Sequence, residues 1–187
     1  MKLLPIHLIV AVTCFALSSS VGCAQSTGKA NPDTAPKLTR ADKVVKTDAQ
    51  WRAQLTAAEY NVTRQHGTEP AFSGKLLGVK EAGTFTCKCC DLPLFDASTK
   101  FKSGSGWPSF YKPIDDKAIL DIADNSYGMK RVENLCSRCG AHLGHVFNDG
   151  PQPTGLRYCM NSVSLKFVPK GTEGAKKAAN PAVETQK

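Results

Sequence analysis

The sequence contains no apolar run long enough to cross a membrane. Its longest apolar stretch, Leu3 to Leu17, is interrupted by Pro5 and His7 and falls short of the roughly 20 apolar residues that a membrane-spanning helix needs. There is no internal repeat beyond two Cys-x2-Cys pairs, so the sequence does not indicate a repeat array. At 187 residues, the chain fits one domain of ordinary size with appendages.

The sequence also lacks a basic cluster, although its formal net charge is +8. The excess positive charge is shared among Lys2, residues 24–48 and the last eighteen residues, which leaves 14 basic and 11 acidic residues between 49 and 168. A central net charge of +3 without clustering is typical of a solvated surface rather than a nucleic-acid interface. We expect no nucleic-acid partner.

The N-terminus predicts an export signal. Lys2, the apolar stretch and the following small residues have the order of a signal peptide, which we expect to span residues 1–24. Cleavage can follow Ala24. A lipoprotein-type signal would instead end at residue 22, because Val21-Gly22-Cys23 resembles the end of a bacterial lipobox. The expected location is outside the cytoplasm, either periplasmic or attached through a lipid on Cys23 to a bacterial membrane, facing the periplasm.

The mature chain divides by composition into a domain and two flanking segments. Residues 25–48 are rich in Ala, Thr, Lys and Pro and lack apolar periodicity, which predicts a flexible tether. Residues 169–187 are similar and predict a disordered tail. The segment between them, residues 49–168, is the expected catalytic domain.

This domain is predicted to begin with short helices and to continue as β-structure. We expect Asp48 to cap a helix that carries Trp51, and Thr56 with Glu59 three residues later to form a capping box. Short segments separated by turn residues predict a mainly β domain; the turns are Asp91-Leu92-Pro93, Gly104-Ser105-Gly106, Trp107-Pro108 and Asn148-Asp149-Gly150-Pro151.

Two cysteine pairs predict a metal site. Cys87 with Cys90 and Cys136 with Cys139 have the Cys-x2-Cys spacing of knuckles that hold a structural zinc through four thiolates. Two disulfides are the alternative in an oxidising compartment, and redox activity of the pairs is a third. A closed four-sulfur site would stabilise the fold without taking part in catalysis. Cys89 is left over beside the first pair.

Cys159 lies outside every pair and follows two histidines, His142 and His145. A thiol near imidazoles can form a reactive thiolate. The period of two in Arg157, Cys159 and Asn161 would place all three side chains on one face of a strand, and the alternation continues to residue 167. The alternative is that Cys159 is a small buried hydrophobe.

Four ordered blocks of sequence resemble the B-type peptide-methionine sulfoxide reductases. The resemblance extends from about Trp51 to Phe167 and rests on Val62–Pro70, Gly104–Phe110, Ala141–Phe147 and Arg157–Ser162, together with the cysteine pairs. It implies a compact fold of two small antiparallel sheets with a few short N-terminal helices. It also implies reduction of the R epimer of methionine sulfoxide, and one structural zinc away from the active centre.

The resemblance and the chemistry together suggest roles for individual residues. The Cys159 thiolate would attack the sulfoxide and end as a sulfenic acid. His142, His145 and Asn161 would hold and protonate the sulfoxide oxygen. The substrate-binding residues would be Trp107 as an apolar wall, Thr68 by its position in the family pocket, and Arg157, which could favour the thiolate. Taken singly, a histidine, a tryptophan or a threonine at these positions has an ordinary structural alternative.

The chain departs from the family pattern where many members carry a second, resolving cysteine. Ser105 occupies that position, and Ser73 occupies another cysteine position used by some relatives. Cys89 remains as a spare thiol of the domain, but the implied zinc would lie beside it and far from Cys159. We therefore expect a one-cysteine enzyme whose sulfenic acid is reduced by a thioredoxin-like or other external thiol.

Two other functions fit parts of the sequence. A zinc-stabilised binding module would recognise peptides or nucleic acid without chemistry, and its function would survive replacement of Cys159. A thiol–disulfide exchange protein would use the Cys-x2-Cys pairs, which a tightly bound zinc would make unavailable. The leading hypothesis is an exported enzyme that repairs oxidised methionine in proteins or peptides.

Overall fold

The structure is a computed structural model that describes residues 38–171. The expected signal peptide, residues 25–37 of the expected tether and most of the expected tail lie outside the described residues. From residue 38 onward the chain lies against the domain: the Val44 amide donates to the Arg138 carbonyl, and Arg138 pairs with Asp42. Within the described range, no helix is long and apolar enough to span a membrane.

Two short helices open the domain, α1 (Asp48–Gln54) and α2 (Ala57–Gln65). The capping box of Thr56 and Glu59 forms as predicted. The cap of α1, however, is Thr47 rather than Asp48, because the Thr47 hydroxyl accepts the amide of Gln50. Asp48 begins the first turn instead, where a carboxylate interacts favourably with the helix dipole. The helices bury Trp51, Tyr60 and Val62 against the rest of the domain.

Nine short strands are present among the described residues, and all of their pairings are antiparallel. They are β1 (Gly83–Cys87), β2 (Pro93–Asp96), β3 (Lys100–Phe101), β4 (Ser109–Phe110), β5 (Ile119–Asp124), β6 (Arg131–Cys136), β7 (His142–Phe147), β8 (Arg157–Met160) and β9 (Leu165–Pro169).

The strands form two sheets. A three-stranded sheet has the order β2-β1-β9, and a six-stranded sheet has the order β3-β4-β8-β7-β6-β5. The mainly β fold with two antiparallel sheets and short N-terminal helices is thereby confirmed. β8 and β7, which carry the cysteine and histidine blocks, are the third and fourth strands of the larger sheet, so neighbouring strands hold both of them on each side.

Aromatic side chains join the two sheets in the core. Phe85 and Phe95 come from the smaller sheet, whereas Phe110 and Tyr158 come from the larger one. The rings of Phe95 and Phe110 stack with centroids 4.3 Å apart, and Phe85 meets Phe110 edge-on at 4.9 Å. All three phenylalanines are fully buried, and each such side chain stabilises the fold by roughly 1.5–3 kcal/mol through removal from water.

The single strand expected to run from Arg157 to Phe167 is broken in the structure. A 3-10 turn at Ser162–Ser164 separates β8 of the larger sheet from β9 of the smaller one. The physical cause is the buried carboxylate of Glu69, which accepts the backbone amides of Ser162 and Val163. These two amides are therefore withdrawn from strand pairing, and the chain crosses between the sheets.

Gly144 on β7 lies close against the backbone of β8. A Cβ added at this position would lie 2.0 Å from the carbonyl oxygen of Cys159. We expect Gly144→Ala to lower the free energy of unfolding by about 2–3 kcal/mol, because a clash with backbone cannot be relieved by a side-chain rotation. The measurement is urea unfolding. Gly78→Ala is the matched control, since a Cβ there has nothing within 4 Å; equal midpoints for the two variants would contradict the close approach.

Candidate active site

A pocket of about 140 Å³ brings together residues from distant parts of the chain. An engineered cavity of about 150 Å³ holds one benzene molecule, so this pocket has room for a single side chain. Five of the predicted site residues line it, and His142 and Arg157 do not. The lining residues are Thr68, Trp107, Arg131, Gly144, His145, Phe147, Cys159 and Asn161.

Cys159 lies on β8 between two partner strands. Its register partners are Ser109 on β4 and His145 on β7. The alternation along β8 buries Tyr158 and Met160 on one face and leaves Cys159 partly exposed on the other. A thiol sealed in the core would be inert, so its exposure to the pocket favours a reactive role over that of a small buried hydrophobe.

His145 is held by a carboxylate. Its Nε2 lies 2.8 Å from Oδ2 of Asp124, which also accepts from Nη2 of Arg131 at 2.6 Å. Burial is the largest influence and lowers the pKa of His145, although the hydrogen bond with Asp124 opposes it. At neutral pH the ring is therefore uncharged. Nε2 carries the proton toward Asp124, which leaves Nδ1 as an acceptor.

Asp124 stays ionised in this arrangement. Burial by itself would raise its pKa, but hydrogen bonds from Ser126 and His145 and the charge of Arg131 hold that pKa well below its ordinary value. A carboxylate that remains charged can stabilise an imidazolium ion if His145 accepts a proton. The imidazole of His145 can therefore act as a general base, and the carboxylate of Asp124 holds it in orientation.

His142 lies beneath the pocket rather than on its wall. It is 1% exposed, and its ring packs edge-on against His145 with centroids 5.5 Å apart. Its Nδ1 lies 2.5 Å from Oε1 of Glu133, which also pairs with Nδ1 of His66 at 2.6 Å. Burial opposes ionisation of Glu133, but hydrogen bonds from the two imidazoles lower its pKa to about 2. His142 is placed to support His145.

The amide of Asn161 lies on the pocket wall with most of its hydrogen bonds already made. Its Oδ1 accepts the backbone amide of Glu69, and its Nδ2 donates to the carbonyl of Leu143. An amide nitrogen has two hydrogens, so one remains for a ligand. Trp107 is anchored to the same loop, because its Nε1 donates to the carbonyl of Glu69 at 3.1 Å.

Arg157 is not among the residues that line the pocket. Its guanidinium makes two hydrogen bonds with Asp149, each of 2.8 Å, and lies 4.4 Å from the ring centroid of Phe147. Arg157 therefore contacts one wall of the pocket from behind. Its guanidinium also interacts with the Cys159 thiol, two residues along the strand, and its contact with substrate stays a prediction.

The four cysteines of the two pairs converge between the sheets. Cys87 ends β1 in the smaller sheet and Cys136 ends β6 in the larger. The four Sγ atoms all lie within 4.8 Å of one another, with Cys87 and Cys139 at 3.7 Å and Cys90 and Cys136 at 3.5 Å. Tetrahedral zinc with Zn–S of about 2.3 Å places sulfurs about 3.8 Å apart, whereas a disulfide needs about 2.05 Å. The residues fit a structural metal site.

Comparison with known proteins gives the family. Residues 55–169 match the SelR domain. The chain is 59% identical over 128 residues to the peptide methionine sulfoxide reductase MsrB of Pseudomonas putida (strain W619), which covers 68% of this chain and 96% of that protein. The protein of the same name from Leptospira interrogans is 55% identical over 125 residues, covering 67% and 95%. This chain belongs to the SelR-domain family of peptide methionine sulfoxide reductases.

Several residues that hold the site of this SelR domain were not predicted from the sequence. Glu69, Asp124, Arg131 and Glu133 hold the site residues in place, and Arg131 also lines the pocket. A period of two puts Arg131 and Glu133 on one face of β6, but charged residues in alternation usually indicate a solvated face. Only the pairing of β5 with β6 and of β6 with β7 shows that this face meets the histidines.

Proposed function

We propose that this protein reduces the R epimer of methionine sulfoxide in proteins or peptides, with Cys159 as the nucleophile. The observation that carries the proposal is the pocket itself. It holds a partly exposed thiol, the Asp124-bound imidazole of His145 and the aromatic ring of Trp107 around a volume suited to one side chain. A binding module without chemistry would not need a reactive thiol in that place.

The reaction transfers the sulfoxide oxygen to the cysteine sulfur. The neutral His145 accepts the thiol proton, and the Cys159 thiolate attacks the sulfoxide. The imidazolium, stabilised by Asp124, returns the proton to the sulfoxide oxygen. The protonated oxygen then passes from the methionine sulfur to the cysteine sulfur as the transient bond between the two sulfurs breaks. Two electrons pass from the cysteine to the methionine, so Cys159 becomes a sulfenic acid and methionine is released. General acid assistance of this kind typically contributes roughly 10²–10⁴ in rate.

The walls of the pocket differ in chemistry, which supports discrimination between epimers. Trp107 offers an apolar face to the S-methyl group, a contact worth about 0.3–1.5 kcal/mol. Asn161 and His145 offer polar groups to the oxygen, and Cys159 approaches the sulfur. Two substituents of the chiral sulfur, the methyl group and the oxygen, thus meet two different surfaces. Thr68 lies at the edge of the same pocket, where it can contact the substrate chain.

The assay of the two epimers tests this function. We expect turnover of the R epimer with dithiothreitol as the reductant, and at least about 100-fold less of the S epimer, because a mispositioned oxygen would lose the general acid. Cys159→Ser should abolish turnover without unfolding the protein. Cys89→Ser makes the same change of thiol to hydroxyl away from the pocket and should stay active. Equal turnover of both epimers, or activity of Cys159→Ser, would contradict the proposal.

Regeneration of Cys159 is proposed to need an external thiol. That thiol attacks the sulfenic sulfur and displaces water, and a second thiol then releases Cys159 by forming a disulfide with the first. Cys89 is buried at 4% exposure among the cysteines of the metal cluster rather than in the pocket. Ser105 has its hydroxyl 3.6 Å from Cys159 Sγ, so this neighbour of Cys159 carries no thiol.

We expect Ser105→Cys to change how Cys159 is regenerated, from attack by an external thiol to formation of an internal disulfide. A new sulfur about as close as the present hydroxyl needs only a small shift to reach the bonding distance of about 2.05 Å. After one turnover without reductant, we expect mass spectrometry to find a disulfide between position 105 and Cys159 in the variant. The unsubstituted chain should yield only a sulfenic acid. A Cys159–Cys89 disulfide in the unsubstituted chain would overturn the one-cysteine proposal.

We also propose that the four clustered thiolates hold one structural zinc. When bound, the ion would supply four fixed metal–sulfur bonds between the two sheets and no open coordination position. The separations of 3.5 and 3.7 Å between sulfurs support this assignment, and so does the burial of Cys87, Cys136 and Cys139. The ion takes no part in the steps at Cys159.

Metal analysis and thermal unfolding test the zinc site together. We expect about one zinc ion per chain, and its loss in Cys136→Ser with a large fall in the unfolding temperature, because binding energy of a structural metal is folding energy. Cys89→Ser should keep both the metal and the unfolding temperature. A chain that is folded and stable without metal would contradict the assignment.

Export is a further part of the proposal, supported by the sequence alone. The signal-like residues 1–24 and the lipobox-like Cys23 suggest a periplasmic protein, or one that a lipid attaches to a bacterial membrane facing the periplasm. Oxidised methionine in proteins or peptides of that compartment would then be the substrate, and a thioredoxin-like thiol the reductant.

A further inference from the structure

A continuous row of three serine hydroxyls runs from the Cys159 thiol into the protein. Ser105 Oγ lies 3.6 Å from Cys159 Sγ, and Ser103 Oγ lies 2.8 Å from Ser105 Oγ. Ser109 Oγ follows at 2.8 Å from Ser103 Oγ. The row ends where the Ser109 hydroxyl donates to the backbone carbonyl of Trp107 at 3.2 Å. We call these three residues the serine relay.

The backbone holds the relay in place. Gly104 has φ of 79°, a conformation that glycine adopts at little cost, and the resulting turn brings Ser103 and Ser105 together. The Ser105 amide donates to Ser103 Oγ at 3.3 Å. Ser109 is fully buried on β4 and is the register partner of Cys159. Both ends of the relay are therefore fixed by strands or turns.

Counting protons shows that the relay responds to the state of Cys159. The row contains four hydrogen-bond contacts, which join Cys159 to Ser105, Ser105 to Ser103, Ser103 to Ser109, and Ser109 to the Trp107 carbonyl. When Cys159 is a thiol, its proton and the three hydroxyl protons fill all four contacts, each pointing away from the sulfur. When Cys159 is a thiolate, the three remaining protons can turn round, so that Ser105 donates to the sulfur. The contact left unfilled then lies at the far end, at the Trp107 carbonyl.

We propose that the serine relay stabilises the Cys159 thiolate by reversing the direction of its hydrogen bonds when the thiol ionises. Hydrogen bonds to a charged acceptor are roughly twice as strong as neutral ones, and successive hydroxyls polarise one another. Ser105 touches the reacting sulfur and is thus a catalytic residue. Ser103 and Ser109 act through it and are positioning residues. The inference rests on the proposed function, because it concerns the same nucleophile.

Charged and titratable groups also surround the Cys159 thiol. The Ser105 hydroxyl can add a hydrogen bond to the interactions that they supply. His145 of β7 is neutral at physiological pH because its pKa is lowered by burial, so it supplies no positive charge before proton transfer. Arg157 is paired with Asp149 and also interacts with the Cys159 thiol, so that the Ser105 hydroxyl acts beside it. The groups that face Cys159 from the adjoining strands, directly or through a partner, are Arg131, His145, Arg157, Asp124 and Asp149.

The test measures the ionisation of Cys159 without methionine sulfoxide. Iodoacetamide alkylation of Cys159 in the full chain is followed against pH by mass spectrometry of the peptide that contains it, which separates it from the other cysteines. We expect Ser105→Ala to slow alkylation about three- to tenfold at pH values below the thiol pKa, because a hydrogen bond to the charged form is lost. Ser105→Thr keeps a hydroxyl and should restore the rate.

The positioning residues give a graded prediction. Ser103→Ala and Ser109→Ala should shift the pH profile in the same direction by less than Ser105→Ala, since each leaves Ser105 itself in place. Ser98→Ala removes an exposed hydroxyl that bonds to Asp96 and should leave the profile unchanged. Thermal unfolding of each variant shows whether it is folded, and an alanine variant that unfolds early is replaced by its glycine counterpart, which also lacks the hydroxyl.

The outcomes separate the relay from a merely structural role. A profile of Ser105→Ala that matches the unsubstituted chain would overturn the relay, even if the variant is less stable. A shift that Ser105→Thr reverses supports it. Since alkylation needs no sulfoxide, a relay confirmed in a protein that does not turn over either epimer would contradict the proposed function alone.

Discussion

A single residue, Glu69, connects the parts of the chain that form the pocket. Its backbone amide donates to Asn161 and its carbonyl accepts from Trp107. Its buried carboxylate accepts two backbone amides at Ser162 and Val163. Thr68, the preceding residue, is carried to the pocket with it. A buried carboxylate is tolerated only when donors surround it, so the loop has one favourable position, and the pocket is assembled around that position.

The two sheets are joined in several ways that differ in chemistry. Aromatic rings fill the core between them, the cysteine cluster connects the ends of β1 and β6, and the turn at Ser162–Ser164 carries the chain from one sheet to the other. The same turn places Asn161 beside Cys159. Stability and chemistry therefore share one structural element, the turn at Ser162–Ser164.

Sulfur has two roles in this domain because its surroundings differ. The clustered cysteines lie within bonding range of a common centre and are mostly buried, which suits thiolates neutralised by a metal. Cys159 stands alone on the exposed face of β8, next to an imidazole, a row of hydroxyls and an arginine. In the proposed reaction, hydrogen bonds and side chains would stabilise its thiolate, which would stay free to attack the substrate.

The sequence by itself determined features that depend on neighbours along the chain or on a distinctive spacing. These are the capping box at Thr56, the turn-rich β pattern, the two cysteine pairs and the isolated Cys159. The tertiary structure alone decided that Glu69, Asp124 and Arg131 serve the site, that Arg157 is turned toward Asp149, and that the strand after Cys159 is broken. The reason is that charges and carbonyls gain these roles only through partners many residues away, and a single sequence carries no record of those contacts.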